Sequence, residues 1–367
     1  MRVRNRLSIA VLTLALAAAG YFALSTSSQK KIVVAVDAPL MSMRVFDPSD
    51  MDAARFYFEE NPDSRMQLRE MFYDYDPQNS APRFQAAMDD GVELFVTTQP
   101  SSTLIASAHL FNRSNALIIN ASATNPSMTG KDDFMIRIIA DARLEQEAIA
   151  DYVNTLDGRR LLVLQDTANA AYTAPGFEFF IKRLGQKAQW DVTLEQFPFQ
   201  NFRPDSFTQL MAAPFDALYL LAGDFQANMG NLAQLFYHYH PQAPIILTPW
   251  ARSNAILESA GPAIHNIVLI SSHPAKAQDP AIAAYLNRFK QRYGYQPMAM
   301  ALTVRQALEL LEQALAAGHT EPQAIKQYLI SQGTLKTSLG EIELDQFGDR
   351  TQPLYPINRL DLELKNP

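Results

Sequence analysis

Cysteine is absent from this chain of 367 residues. That removes disulfides, thiol nucleophiles and thiolate metal sites, and it removes an N-terminal cysteine for lipid attachment. Glycine is scarce, with 14 residues, which argues against glycine-rich phosphate cradles. No G-x-G-x-x-G, P-loop, G-x-S-x-G or H-E-x-x-H pattern occurs. Runs of like charge are missing too. The net charge is −7 and no block of five like charges occurs, so no nucleic-acid partner is expected. His238 and His240 (HYHP) stand two apart and do not share a helix face. They read as residues favoured by a helix C-terminus, not as metal ligands. No spacing suggests a nucleophile with its base. No cofactor, metal site or catalytic residue is therefore assigned, and a hydrolase is the least supported class.

What is present is ordinary globular composition, 48% hydrophobic and 19% charged, long enough for two domains. The N-terminus departs from it. Met1–Arg6 carries three arginines, and Leu7–Leu24 runs for 18 residues without a charge. A basic segment followed by an apolar one is an export signal. Two readings stay open: cleavage after Ala17-Ala18-Ala19, or retention as a membrane anchor, since the run just spans a bilayer. Residues 1–30 are read as signal peptide or anchor plus the polar linker STSSQKK. In both cases the remainder is exported, so the periplasm is the expected location and the membrane is met only through this segment.

From Lys31 short apolar runs alternate with longer amphipathic ones. Candidate strands are Ile32–Val36, Gln67–Tyr73, Val92–Thr97, Ala116–Ile119, Leu161–Gln165, Ala217–Leu221, Ile245–Thr248 and Ile267–Ser271. Helical patterns lie between them, and Met298–Ala317 and Glu321–Ser331 follow. The alternation predicts an α/β fold with parallel, doubly wound sheets in two lobes.

Two strand-to-helix turns are rich in donors: Thr98–Thr103 (TQPSST) and Asn120–Gly130 (NASATNPSMTG). In open parallel sheets ligands bind outside the carboxyl ends of the strands, where helix N-termini offer free N–H groups. Ser101 or Ser102 is either a plain helix cap or a donor to an anion.

The run Gly91–Arg137 resembles the type I periplasmic binding proteins, and more narrowly the leucine/isoleucine/valine-binding branch of ABC-transporter substrate-binding proteins. It carries a strand, a P-S-S turn, a helix, and then Ser122-Ala-Thr-Asn-Pro-Ser-Met-Thr129. Phe72–Asp76, Asp216–Tyr219, Tyr293–Pro297 and Leu339–Asp345 with Gly348-Asp349 extend the resemblance over residues 31–362. It implies two Rossmann-like lobes joined by a three-strand hinge, lobe one from 31–141 and 296–346, lobe two from 142–295 and 347–367. It also implies a ligand carboxylate held by Ser101, Ser122 and Thr124, with Ser102 and Ala123 in the same turns, backbone donors at Ser122 and Thr124, and Tyr172 closing from lobe two. Asp224 and Phe225 follow a strand and face the cleft on this reading, and Trp250 either stacks on the ligand or anchors its loop.

Several positions depart from the family pattern. Gln99 and Thr103 replace glycines, Met41-Ser42-Met43 replaces small residues, and His265-Asn266 stands where an acid for a ligand ammonium is expected. The expected function is a non-enzymatic solute-binding protein for an amino-acid-like or carboxylate ligand, partnered by an ABC permease or a membrane sensor. The alternative is a membrane-anchored regulatory or scaffold domain that binds a protein. Ser101→Ala and Thr124→Ala are both expected to remove ligand binding and leave the unliganded fold unchanged.

Overall fold

The computed structural model describes residues 31–40, 48–187, 190–223, 228–358 and 360. The expected export segment, Met41–Met43, Asp224 and Phe225 lie outside the described residues. Among the described residues no helix is long and apolar enough to cross a membrane.

The first sheet is made of β1 (Ile32–Pro39), β2 (Met66–Tyr73), β3 (Leu94–Thr97), β4 (Leu117–Asn120) and β5 (Met135–Arg137), in the order β2-β1-β3-β4-β5 and all parallel. The second holds β6 (Arg160–Asp166), β7 (Asp191–Phe197), β8 (Ala217–Leu221), β9 (Ile245–Leu247) and β10 (Ile267–Ser271). β11 (Thr334–Thr337) and β12 (Gly340–Glu343) form a hairpin, and β13 (Tyr355–Ile357) closes the second sheet, whose order is β13-β10-β9-β8-β6-β7. Only β13 runs antiparallel there. β1, β3 and β4 are almost continuously apolar because each lies between two strands with helices on both faces. β7 gave no clear sequence signal. It is an edge strand with no fully buried residue, so its apolar content is low.

The helices are α1 (Ser49–Glu60), α2 (Pro77–Asp89), α3 (Ser101–Ser114), α4 (Ala142–Val153), α5 (Ala170–Leu184), α6 (Pro204–Met211), α7 (Asn228–Tyr239), α8 (Asn254–Ser259), α9 (Pro280–Tyr293), α10 (Ala299–Ala316) and α11 (Pro322–Ser331). α2 and α3 cover one face of the first sheet, where Phe84, Phe95 and Phe111 meet edge to face. α1, α9, α10, α11 and the hairpin cover the other. α4 and α5 pack on one face of the second sheet, and α6, α7 and α8 on the other.

The expected boundary at residue 295 needs correction. α9 had been placed in lobe two, yet Ile282, Tyr285, Leu286 and Phe289 are buried in the first lobe's core. Phe289 meets Phe56 of α1 edge to face, with centroids 5.9 Å apart. The chain therefore recrosses just after β10. Gly294, just before the implied boundary, is a left-handed helix C-cap, at φ 84°. The tail also leaves lobe one later than residue 347. Asp349 still pairs with Arg137 at 2.7 Å, and the Arg350 amide donates to the Arg137 carbonyl.

The three crossings are tied at one buried side chain. Arg350, on the last crossing, donates through Nη1 to the Ile138 carbonyl on the first (3.1 Å) and through Nη2 to the Ser272 carbonyl on the second (2.7 Å). Burial lowers its pKa to about 10, with the Tyr355 and Glu343 charges opposing the shift, so it stays cationic at neutral pH. Arg350→Ala would strand buried carbonyls on two crossings. The expected loss is roughly 2–5 kcal/mol of unfolding free energy, read by chemical denaturation. A change below about 0.5 kcal/mol would show that the hinge does not depend on it.

Candidate functional site

The two donor-rich turns follow neighbouring strands, so pairing of β3 with β4 places them side by side. Ser101, the first residue of α3, connects them. Its Oγ accepts from the backbone amides of Thr124 and Asn125, each at 3.1 Å. The second turn is held from below by Asn120, the last residue of β4. Asn120 Oδ1 accepts from the amides of Ser122 (3.1 Å) and Ala123 (2.8 Å), and Nδ2 donates to the Ala123 carbonyl (2.7 Å).

The backbone donors expected to hold a ligand at Ser122 and Thr124 are thus already engaged within the clamp. That corrects the expectation, and the reason is physical: a buried amide must be paired, and here Asn120 and Ser101 supply the partners. What remains is a set of hydroxyls. Among the described residues no hydrogen bond engages the side-chain hydroxyls of Ser102, Ser122 or Thr124, and Ser101 Oγ, acceptor for two amides, keeps its own proton to donate. The N–H groups of Ser101 and Ser102 open α3 without an acceptor among the described residues. Hydroxyl donors at a helix N-terminus suit an anion.

Two of the departures turn away from the clamp. Gln99 is fully buried under it, donating from Nε2 to Asp37 Oδ2 and accepting from the Ser80 hydroxyl at 2.8 Å. Burial raises the Asp37 carboxyl, while the Arg83 charge and the Gln99 and Thr97 hydrogen bonds lower it. Thr103 Oγ1 donates to the Pro100 carbonyl at 3.0 Å, inside the first turn of α3. Neither adds bulk at the hydroxyl face. His265 ends the segment that leads into β10 and is exposed. It stands at the strand's N-terminal end, whereas the turns lie at C-terminal ends, so an acid at that position would not face them.

Lobe two abuts the clamp through α4. The Thr124 carbonyl accepts from the Ala142 amide at 2.7 Å, and Asp141 caps α4 through Leu144 N, also at 2.7 Å. Tyr172 lies on α5, and its hydroxyl donates to Glu145 rather than standing free. Gly223, after β8, leaves it room, since a Cβ there would come within 2.6 Å of Tyr172 Cδ1. Gln146 Nε2 donates to Glu145 Oε1 (3.1 Å) and to the Tyr172 hydroxyl (3.2 Å), and Gln146 Oε1 accepts from Tyr219 (2.6 Å). Trp250 follows β9 in a short 3₁₀ turn. Its indole N–H lies close enough to Glu145 to favour the carboxylate, though Nε1 makes no hydrogen bond of regular geometry. Burial pushes the Glu145 carboxyl up to about 8; the Gln146 and Trp250 donors lower it and the Asp141 charge raises it.

Glu145 and Gln146 were not singled out from the sequence. The signal was there: Glu145, Ile149 and Val153 recur at i, i+4 and i+8 on the buried face of α4, so a charged residue occupies an apolar stripe. Among the described residues no cluster of histidines and carboxylates could hold a metal.

A family model for periplasmic binding proteins matches residues 67–357. The chain belongs to that family. Curated relatives of this periplasmic binding protein include Leu/Ile/Val-binding protein homolog 1 of two Brucella species. The Brucella suis protein is 29% identical over 153 residues, 36% of this chain and 41% of that protein, so the chain spans less than half of its length in that match. The Brucella abortus protein is 25% identical over 282 residues, 72% of this chain and 71% of that one. Two solved structures share the fold. The branched-chain amino acid substrate-binding protein of Streptococcus pneumoniae, in complex with isoleucine, superposes with a TM-score of 0.72 at 16% identity, covering 90% of this chain and 97% of that one. A solute-binding protein of Rhodopseudomonas palustris, in complex with 3,4-dihydroxybenzoic acid, gives 0.73 at 18%, covering 89% and 92%.

The clamp corrects the expectation for Ser101. Ser101→Ala removes the acceptor of two amides and is expected to cost about 1–2 kcal/mol in the unliganded protein, whereas Thr124→Ala removes an unengaged hydroxyl and should stay within about 0.5 kcal/mol. Paired denaturation curves decide this, and equal effects of the two substitutions would contradict the bridge.

Proposed function

We propose that this periplasmic binding protein is the exported solute-binding component of an ABC-type importer and holds a small carboxylate or amino-acid-like ligand between its lobes. The observation that carries the reading is the Ser101 bridge, which presents the hydroxyls of Ser101, Ser122 and Thr124 together at the N-terminus of α3. Tyr172 and Trp250 supply a partly apolar wall from lobe two. Relatives and neighbours named for branched-chain amino acids, and one neighbour holding an aromatic acid, support the ligand class. The role is binding without chemistry. Closure about the three crossings would be a population shift driven by contacts made only in the closed state, and the closed form would dock on a permease or sensor.

The alternative, a scaffold that keeps the fold without a ligand, draws on the glycines replaced by Gln99 and Thr103 and on the missing acid at His265-Asn266; the Gln99 and Thr103 side chains point away from the hydroxyls. Thermal shift of the exported portion against amino acids, amides and small carboxylates tests the reading. A true ligand at a hundred times its Kd stabilises by about 2.7 kcal/mol. A folded protein that no member of the panel stabilises would overturn solute binding in favour of the scaffold.

A further inference from the structure

The hinge holds a buried cation that no carboxylate answers. Arg350 is 5% exposed. Its guanidinium donates to the Ile138 carbonyl (3.1 Å), the Ser272 carbonyl (2.7 Å) and the Gln352 amide oxygen (3.1 Å), which are all neutral acceptors. Glu343, which is exposed, and the Tyr355 hydroxyl favour its charged form. Among the described residues no carboxylate forms an ion pair with it. A charge taken out of water is normally met by an opposite one, because unanswered it costs stability.

Two donors at this cation are unused. Arg350 Nε is inaccessible to solvent and has no hydrogen-bond partner. The same holds for the hydroxyl of Ser272, the residue whose carbonyl accepts from Arg350 Nη2. Ser272 is 6% exposed. Ser253, in the turn after the neighbouring strand β9, carries another buried hydroxyl without a partner. His273 follows Ser272, is 3% exposed, and adds no negative charge. Burial and the Arg350 charge hold its ring neutral, the Arg252 charge acts in the same direction, and Nε2 is engaged with Gln306.

We propose that the hinge binds one small inorganic anion of halide size, chloride, held by Arg350 Nε and the Ser272 hydroxyl. A water molecule would satisfy the same two donors, yet it would leave the guanidinium charge unanswered. An anion satisfies the donors and the charge together, through hydrogen bonds that the charge strengthens. Arg350, Ser272 and His273 are almost wholly covered, which suits a single ion and not a group carried on a cleft ligand. The site is therefore independent of the solute reading. Because Arg350 joins the three crossings, the ion would neutralise the cation at the point where they meet.

Thermal unfolding in sodium chloride and in sodium gluconate, mixed at one fixed ionic strength, tests the proposal, since general screening is then equal. The wild type should melt a few degrees higher in chloride, and the rise should follow the logarithm of chloride concentration above its Kd. Ser272→Ala removes a hydroxyl that has no protein partner, so it should fold and lose that rise. Bromide exchanged for chloride in crystals should give an anomalous scattering peak within hydrogen-bond reach of Arg350 Nε and Ser272 Oγ. Equal melting in the two salts, or a chloride effect that Ser272→Ala leaves unchanged, would overturn the site. So would bromide found only at surface residues, or a water at Arg350 Nε without anomalous signal. None of these outcomes touches the reading of the cleft.

Discussion

One hydroxyl oxygen holds the site together. Ser101 Oγ receives the amides of Thr124 and Asn125, so the loop after β4 is fixed to the helix after β3 with no ligand present. Asn120 fixes the same loop from inside. Together they fill the backbone donors that a loose turn would leave for a ligand. The clamp is therefore preformed, and hydroxyls rather than amides are left unengaged in it. Preorganisation lowers the entropic cost of binding, and the two amides polarise the Ser101 hydroxyl, making its proton a better donor.

The same loop carries the connection to lobe two. The Thr124 carbonyl holds the first amide of α4, and α4 brings Glu145 and Gln146 to the wall that Tyr172, Tyr219 and Trp250 complete. On the proposed reading, a ligand held at Thr124 would act on the helix that opens the second lobe. Behind it, Arg350 gathers the carbonyls of two crossings onto the third. His273, beside it, accepts a neutral role: burial and the Arg350 charge lower its pKa to about 3, and its ring nitrogen pairs with Gln306 at 2.8 Å. The crossings are thus cross-linked by hydrogen bonds through the buried Arg350.

Most of the architecture could be read from the sequence because buried parallel strands declare themselves. Ala217–Leu221 and Ile267–Ser271 were placed to the residue, and the strand ends that carry TQPSST and NASATNPS followed from them. Edge strands and boundaries were harder. β7 buries little, β5 and β13 are three residues each, and α9 looks like any amphipathic helix until its partner Phe56 is known. At the site, the donors Ser101, Ser122 and Thr124 come together. Their division of labour was not legible, because it depends on which acceptor each amide finds in three dimensions. Gln99 replaces a glycine in the sequence, and its direction, toward Asp37 and Ser80, is set only in the fold. Glu145 shares the apolar stripe of α4 with Ile149 and Val153, a placement that shows only once the helix register is followed.

The account's central claim is that one ligand touches the hydroxyl clamp of lobe one and the aromatic wall of lobe two at once. The chain has two tryptophans, Trp250 in that wall and Trp190 beside Gly158 on the far part of lobe two. Fluorine NMR of 5-fluorotryptophan-labelled protein, assigned with Trp190→Phe, follows both during titration with leucine. The account predicts that the Trp250 resonance moves saturably, that the Trp190 resonance stays in place, and that Ser101→Ala removes the response. A ligand that binds while Trp250 stays silent, or a Trp250 response that survives Ser101→Ala unchanged, would contradict it.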